Sequence, residues 1–200
     1  MKLTATLFLT ATLSISMSVT MFAADTTVAK MYDSQLSIAE REVVPLVKAM
    51  PEAAMNFAPT IGSFEKVRTF GGQAKHIATV MYMTAAAAAG EKPPVELGAG
   101  EDGPTTVKTK AEIVTYLQGA FTYAHKVMNT LTAENETNLV SAPFPGMPPM
   151  ARAAIANLGI WHSFDHYGQM VVYARMNKVI PPASLPAAPA AAKAPATKKK

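Results

Sequence analysis

Cysteine is absent from the chain, which excludes disulfides, thiolate nucleophiles, CxxC redox pairs and cysteine-type zinc sites. Charge is sparse too, with 16% of residues being Asp, Glu, Lys or Arg. The formal net charge of +4 looks basic until it is located: Lys2 stands near the start, and Lys193, Lys198, Lys199 and Lys200 near the end. With those five set aside, 13 of the 18 basic residues face 14 acidic ones. No basic face remains to neutralise phosphates, so nucleic acid is not an expected partner. HExxH and GxSxG are also missing, which removes the usual zinc-protease and serine-hydrolase signatures. Gly98-Ala99-Gly100-Glu101-Asp102-Gly103 spells GxGxxG, but no strand-like run precedes it, Pro104 follows, and its two acids would repel phosphate; it reads as a loop. Any metal chemistry falls to histidine and carboxylate.

What is present divides the 200 residues into three parts. Residues 1–24 pair the charged start Met1-Lys2 with an acid-free apolar stretch and a small-residue exit at Ala23-Ala24, the plan of a secretory signal peptide. Serines and threonines interrupt the stretch, a weak composition for a permanent membrane span, although an uncleaved anchor is the alternative. Residues 185–200 are Pro, Ala and Lys with almost no large apolar side chain, the composition of a flexible tail. Residues 25–184 form one domain, and half of the whole chain is apolar, enough for a sizeable core.

Within that domain the apolar periodicity is helical, and Pro and Gly punctuate it. The pattern predicts four helices. The first covers about Ser37 to Ala49, opened by a capping box at Ser37 and Glu40 and kinked at Pro45. The second spans about Arg68 to Ala89 and stops at Gly90. The third runs from a capping box at Thr109 and Glu112 to about Leu131, and the fourth from Met150 to Lys178. Four amphipathic helices with short to moderate loops define an all-α, four-helix bundle. Thirteen methionines accompany them, and Met81, Met83, Met128 and Met170 read as core filler rather than copper ligands.

His162 and His166 lie one turn apart on the fourth helix, so both imidazoles share a face. That face also carries Ile155, Leu158, Gln169, Tyr173 and Met176, which turns the pair inward. Two imidazoles in a core need partners for their nitrogens; a shared cation is one solution and ordinary hydrogen bonding the other. His76 on the second helix would supply a third nitrogen and leave coordination positions free, as catalytic zinc sites do. His125 lies beside Lys126 at the edge of the third helix's stripe and reads as a boundary residue. Gln169 and Tyr173, further along the histidine stripe, are candidates for contacts behind the ligands or to a substrate.

These segments resemble the DinB-like family, also described as DinB/YfiT-like metalloenzymes. The likeness runs from about Leu36 to Ser184 and is carried by Glu40-Arg41-Glu42 with Ala49-Met50-Pro51, by Val67-Arg68-Thr69-Phe70 leading to Gln73 and His76, by Gly90 to Pro94, and above all by HSFDHYGQMVVYARMNKVIPPAS from His162 to Ser184. The resemblance implies a four-helix bundle in which His76, His162 and His166 bind a divalent metal, expected to be zinc or nickel, although imidazole suits copper and iron as well. Some relatives resemble thiol-cofactor transferases or isomerases. The leader of this chain departs from the cytoplasmic setting of those proteins, as Pro45 departs from an uninterrupted first helix. The expected protein is therefore an exported divalent-metal-binding one, either a metal-dependent hydrolase or transferase acting on a small molecule, or a non-catalytic metal-binding or interaction module. It is expected in the periplasm or secreted, with no integral membrane span once the leader is cut, and a homodimer is compatible with it.

The leader makes a direct prediction. Mass spectrometry of the protein from its native host should find a mature amino terminus near Ala24 or Asp25; an intact Met1 would contradict a cleaved signal.

Overall fold

A computed structural model describes residues 27–186, so the leader and most of the carboxy-terminal tail lie outside the described residues. Four helices make up the domain: α1 (Val28–Ala49), α2 (Phe70–Ala89), α3 (Lys110–Met128) and α4 (Arg152–Met176). Single turns of 3-10 helix at Glu52–Ala54 and Pro182–Ser184 follow α1 and α4, and β1 (Leu139–Val140) pairs antiparallel with β2 (Met150–Ala151) just before α4. None of the described helices is long and apolar enough to cross a membrane.

Helix α1 begins nine residues earlier than its sequence pattern suggested. Thr27, not Ser37, is the N-cap, its side chain accepting the Lys30 amide at 3.2 Å. Ser37 lies inside the helix and donates to the Asp33 carbonyl at 2.9 Å. No side chain before Leu36 is fully buried, but Val28 and Tyr32 pack half-buried against the core at the same helical spacing, a rhythm that the capping-box pattern at Ser37 masked. Pro45 does not end the helix, which continues to Ala49. The carbonyl deprived of its bond by that proline belongs to Arg41, an exposed residue, where water can replace the lost donor. The Thr109 capping box forms as the sequence indicates, and Gly90 closes α2 in the left-handed conformation at φ 75°.

Packing sets the order of the helices around the core. Helix α2 packs mainly on α3 and α4, and α1 closes the bundle from the other side against the same two, so α1 and α2 face each other diagonally. Phe70, Ile77 and Met81 of α2 meet Leu117, Phe121, Ile155 and Met170 in a fully buried core. Met128 is buried there as well, while Met83 is only half-buried. On the outer side of the bundle, the ring of His125 bridges α3 to α1, with Nδ1 2.6 Å from Asp33 and Nε2 3.2 Å from Glu40.

The close approach of α2 and α4 depends on a missing side chain. A Cβ on Gly159 would come within 2.7 Å of Thr84 Oγ1 and 2.9 Å of Met81 Sδ, whereas one on Gly168 of the same helix would meet nothing within 4 Å. Gly168→Ala should therefore stabilise the protein by about 0.5–1 kcal/mol, the helix-propensity difference alone. Gly159→Ala has the same propensity gain but overpacks the interface at a cost of about 1–3 kcal/mol. Thermal melts should rise for the first and fall for the second; a rise for both would mean that the helices separate at little cost.

Candidate metal centre

The site is assembled from α2, α4 and the loop between α2 and α3. That loop folds back along α2: the Pro104 carbonyl accepts from Lys75 Nζ at 3.0 Å, and Gly103, at φ 79°, passes so close that a Cβ would sit 2.9 Å from Thr79 Oγ1. Glycine is needed at 103 for both its backbone angle and its contact distance. The turn places the Glu101 carbonyl 2.8 Å from His76 Nδ1.

Helix α4 presents its inward stripe through Ala156, Gly159, Ser163, His166, Met170 and Ala174, all buried, at the three-and-four spacing of a helix. The stripe is rotated slightly from the sequence expectation. His166 is buried, but His162 is half-buried at its edge, and Gln169 and Met176 are exposed. Tyr173 is buried in the core, edge-on to Phe57 at a centroid distance of 5.8 Å. Gln169 instead borders a cavity beside His166.

His76, His162 and His166 come together as one group able to hold a metal ion, the only such group among the described residues. Nε2 of His162 lies 3.1 Å from Nε2 of His76 and 3.1 Å from Nε2 of His166. His125 lies outside this group.

The outer nitrogens indicate which tautomers the rings hold. A carbonyl oxygen can only accept, so His76 carries hydrogen on Nδ1 and its Nε2 lone pair points into the cluster. His166 Nδ1 lies 2.5 Å from Gln73 Oε1, while the Gln73 amide nitrogen donates to Gln169 Oε1 at 3.0 Å. That chain orients the buried Gln73 so that His166 also keeps its hydrogen outside and its lone pair inside. Two lone pairs thus converge on the third ring, whose Nδ1 is buried with no hydrogen-bond partner among the described residues. A single proton on His162 Nε2 cannot serve both neighbours fully, whereas a cation can. Two nitrogens each about 2.0–2.1 Å from one ion stand about 2.8–3.4 Å apart for right-angled to tetrahedral placement; the 3.1 Å of both His162 pairs falls in that window, while the three ligating nitrogens as a set lie within 4.8 Å of one another, a span the rings would narrow to share one ion.

Electrostatics favours neutral rings. Burial, then the charges His166 and His76 would carry, then Arg68, depress His162 to about 3. Burial, His76 and Arg68 bring His166 to about 4 against an opposing pull from Asp165. Burial also lowers His76, partly offset by its bond to the Glu101 carbonyl. Neutral imidazole is the form a metal requires.

His166 opens onto a cavity of about 340 Å³ whose remaining walls are Lys66, Val67, Arg68, Gln73, Asp102 and Gln169. Arg68 Nε bonds Asp102 Oδ1 across the mouth at 2.9 Å. Of the groups that shape the site, Gln73, Glu101, Arg68, Lys66 and Asp102 were not among the site residues expected from the sequence, where Arg68 and Gln73 only carried the resemblance and Glu101 and Asp102 read as part of a loop. Gln73 was within reach, since it stands three residues before His76 and so shares its face of α2. The Glu101 contribution is a backbone carbonyl set by loop geometry and leaves no mark on residue type.

Comparison with known proteins agrees with this architecture. The profile described as DinB superfamily matches residues 35–170, so the chain belongs to the DinB superfamily. Among solved structures it is similar to a DinB-like protein from Bacillus cereus ATCC 10987, at 16% identity and a TM-score of 0.58, covering 76% of this chain and 93% of that one. A DinB-like protein from Bacillus subtilis aligns at 14% identity and TM-score 0.56, covering 74% and 92%. A conserved protein from Enterococcus faecalis aligns at 15% and 0.59, covering 75% and 96%. At these identities the likeness speaks for the fold alone. No curated protein matches the chain.

The depressed histidines predict how the metal-free protein responds to acid. The unfolded chain binds protons on these rings near pH 6.5, while the folded state resists until about pH 4 and 3. Between those values the unfolded state holds more protons, so folding stability should fall as pH drops. Denaturant melts in chelator should show the loss already between pH 6.5 and 5, above the ordinary carboxylate range. The double variant His162→Leu/His166→Leu should flatten that slope; an equal slope in both proteins would refute the assignment.

Proposed function

We propose that this chain is an exported metalloprotein of the DinB superfamily in which His76, His162 and His166 hold one divalent cation and present it to a small-molecule substrate. The observation that carries the reading is the convergence of three Nε2 atoms 3.1 Å apart on two edges, with two of the rings anchored from behind through Nδ1. Export rests on the leader, residues 1–24. Zinc and nickel both suit three imidazoles.

The cavity favours catalysis over a purely structural ion. Structural zinc is closed by four protein ligands, whereas catalytic sites keep a position open toward a pocket. Here three histidines meet and His166 borders the open cavity. The cation would supply Lewis-acid activation of a water or of a substrate oxygen or thiol, the chemistry of a hydrolase or transferase. The protein's own part is positional. The Glu101 carbonyl and Gln73 hold two rings in the ligating tautomer, and Gln169 steadies Gln73 while lining the approach.

Elemental analysis of tag-free protein should find one divalent metal per chain. Replacing His76, His162 or His166 by Ala should weaken binding by about 100-fold or more, and Gln73→Leu by about 10–100-fold through loss of the ring's anchor. His125→Ala should bind as wild type. Chelation should lower the melting temperature, because an ion that binds only the folded state stabilises it by mass action. Wild type free of stoichiometric metal at neutral pH would overturn the reading.

A further inference from the structure

The walls of the cavity beside His166 are unequal in chemistry. Lys66, Val67 and Arg68 line one side in succession, and Gln73, Asp102 and Gln169 complete it. Lys66 holds φ 64°, a left-handed conformation uncommon for a residue with a side chain, and such strain concentrates where a chain is shaped for a ligand. Arg68 bonds Asp102 through Nε, and its terminal nitrogens make no hydrogen bond among the described residues. Gln169 receives Gln73 on its oxygen, which turns its amide NH2 into the remaining donor at the cavity. The Arg68 terminal nitrogens and the Gln169 NH2 donate, Lys66 adds positive charge to the same wall, and the Asp102 carboxylate is already engaged by Arg68 Nε, so the matching ligand group is an acceptor.

We propose that Arg68, supported by Lys66, is the anion-recognition group of this site and that its substrate is a small organic acid, the carboxylate on Arg68 and an adjacent oxygen toward the histidines. This rests on the metal-site reading for the role of the second oxygen, but not for the anion subsite. Lys66 and Arg68 outnumber Asp102 among the charged residues of the wall, and a divalent ion on the histidines would add to that positive charge, so the cavity favours an anion; shape, not net charge, selects a carboxylate, whose flat pair of oxygens matches the guanidinium edge that Asp102 leaves free. Guanidinium adds geometry, since its terminal nitrogens can grip both oxygens of a carboxylate, which an ammonium cannot do. The cavity, at about 340 Å³, is of the size that encloses small ligands. The guanidinium also lies near enough to the histidines for its charge to act on all three.

The test uses full-length protein as purified, with lactate as probe and lactamide as its uncharged counterpart of nearly equal size. Affinities are read by ligand-observed NMR or calorimetry, and metal content is measured on the same samples. Wild type should bind lactate at least tenfold more tightly than lactamide. Arg68→Gln should lose tenfold or more in lactate affinity while keeping its lactamide affinity and wild-type metal content. Arg68→Lys should keep a preference for lactate but bind it more weakly, and Lys66→Gln should lose less than Arg68→Gln. Equal affinity for the two probes, no detectable lactate binding at millimolar concentration, or an Arg68→Gln protein that binds lactate like wild type would each overturn the proposal. Inorganic phosphate binding more tightly than lactate would overturn the monocarboxylate assignment. Absence of metal from wild type would overturn the metal reading alone, because the lactate-to-lactamide ratio and its dependence on Arg68 are still read in that protein.

Discussion

Three imidazole nitrogens turned toward one another inside a protein form an unfavourable arrangement unless something sits between them. Neutral rings held with their lone pairs inward repel, and charged rings would repel more strongly still. This protein builds that arrangement from two helices and keeps it by bonding the far side of two of the rings. The Glu101 carbonyl and the Gln73 oxygen accept from His76 and His166, so neither ring can turn its lone pair away without leaving a buried N–H unsatisfied. Much of the domain serves this requirement.

The requirement explains features that otherwise look unrelated. Gly159 lets α4 approach α2 closely enough for His162 and His166 to reach His76. Gly103, pressed against Thr79, brings the loop back over α2 so that residue 101 can offer its carbonyl. Gln73 is buried, an unusual place for an uncharged amide, and both ends of that amide are satisfied, by His166 and by Gln169. The third ring lacks such an anchor, and its unpartnered Nδ1 is the one polar loose end of the cluster. His125, though also on a helix, belongs to a different balance, in which two carboxylates of α1 meet its two nitrogens.

Function follows from what surrounds that cluster rather than from the cluster alone. A histidine triad sealed in the core would be a staple. Here one ring borders a cavity rich in donors, with a guanidinium already engaged by a carboxylate at its mouth. That placement sets three histidines that could hold a cation beside the guanidinium proposed to take an anion, within one small opening, a combination suited to orienting a small substrate.

Much of this was legible in the residues themselves. Helical periodicity, the capping box at Thr109, Gly90 and the proline punctuation determined four helices, because local spacing and end chemistry carry that information. The i, i+4 spacing of His162 and His166 determined that they would face the same way, and their likeness to a known family pointed to His76. The start of α1 was masked by the capping-box pattern at Ser37 and Glu40, although Val28, Tyr32 and Leu36 carry the helical rhythm up to it and the first two pack half-buried on the core. Tyr173 and Gln169 share a stripe on paper, yet one packs on Phe57 and the other borders the cavity, since a helix's rotation in its bundle is set by its neighbours. The sequence by itself thus determined the helices and the pairing of two histidines on one of them. Only the tertiary structure decided that a third ring meets them, that a loop carbonyl and a glutamine hold the tautomers, and that Arg68 stands beside the opening, because each of these is a contact between segments far apart in the chain.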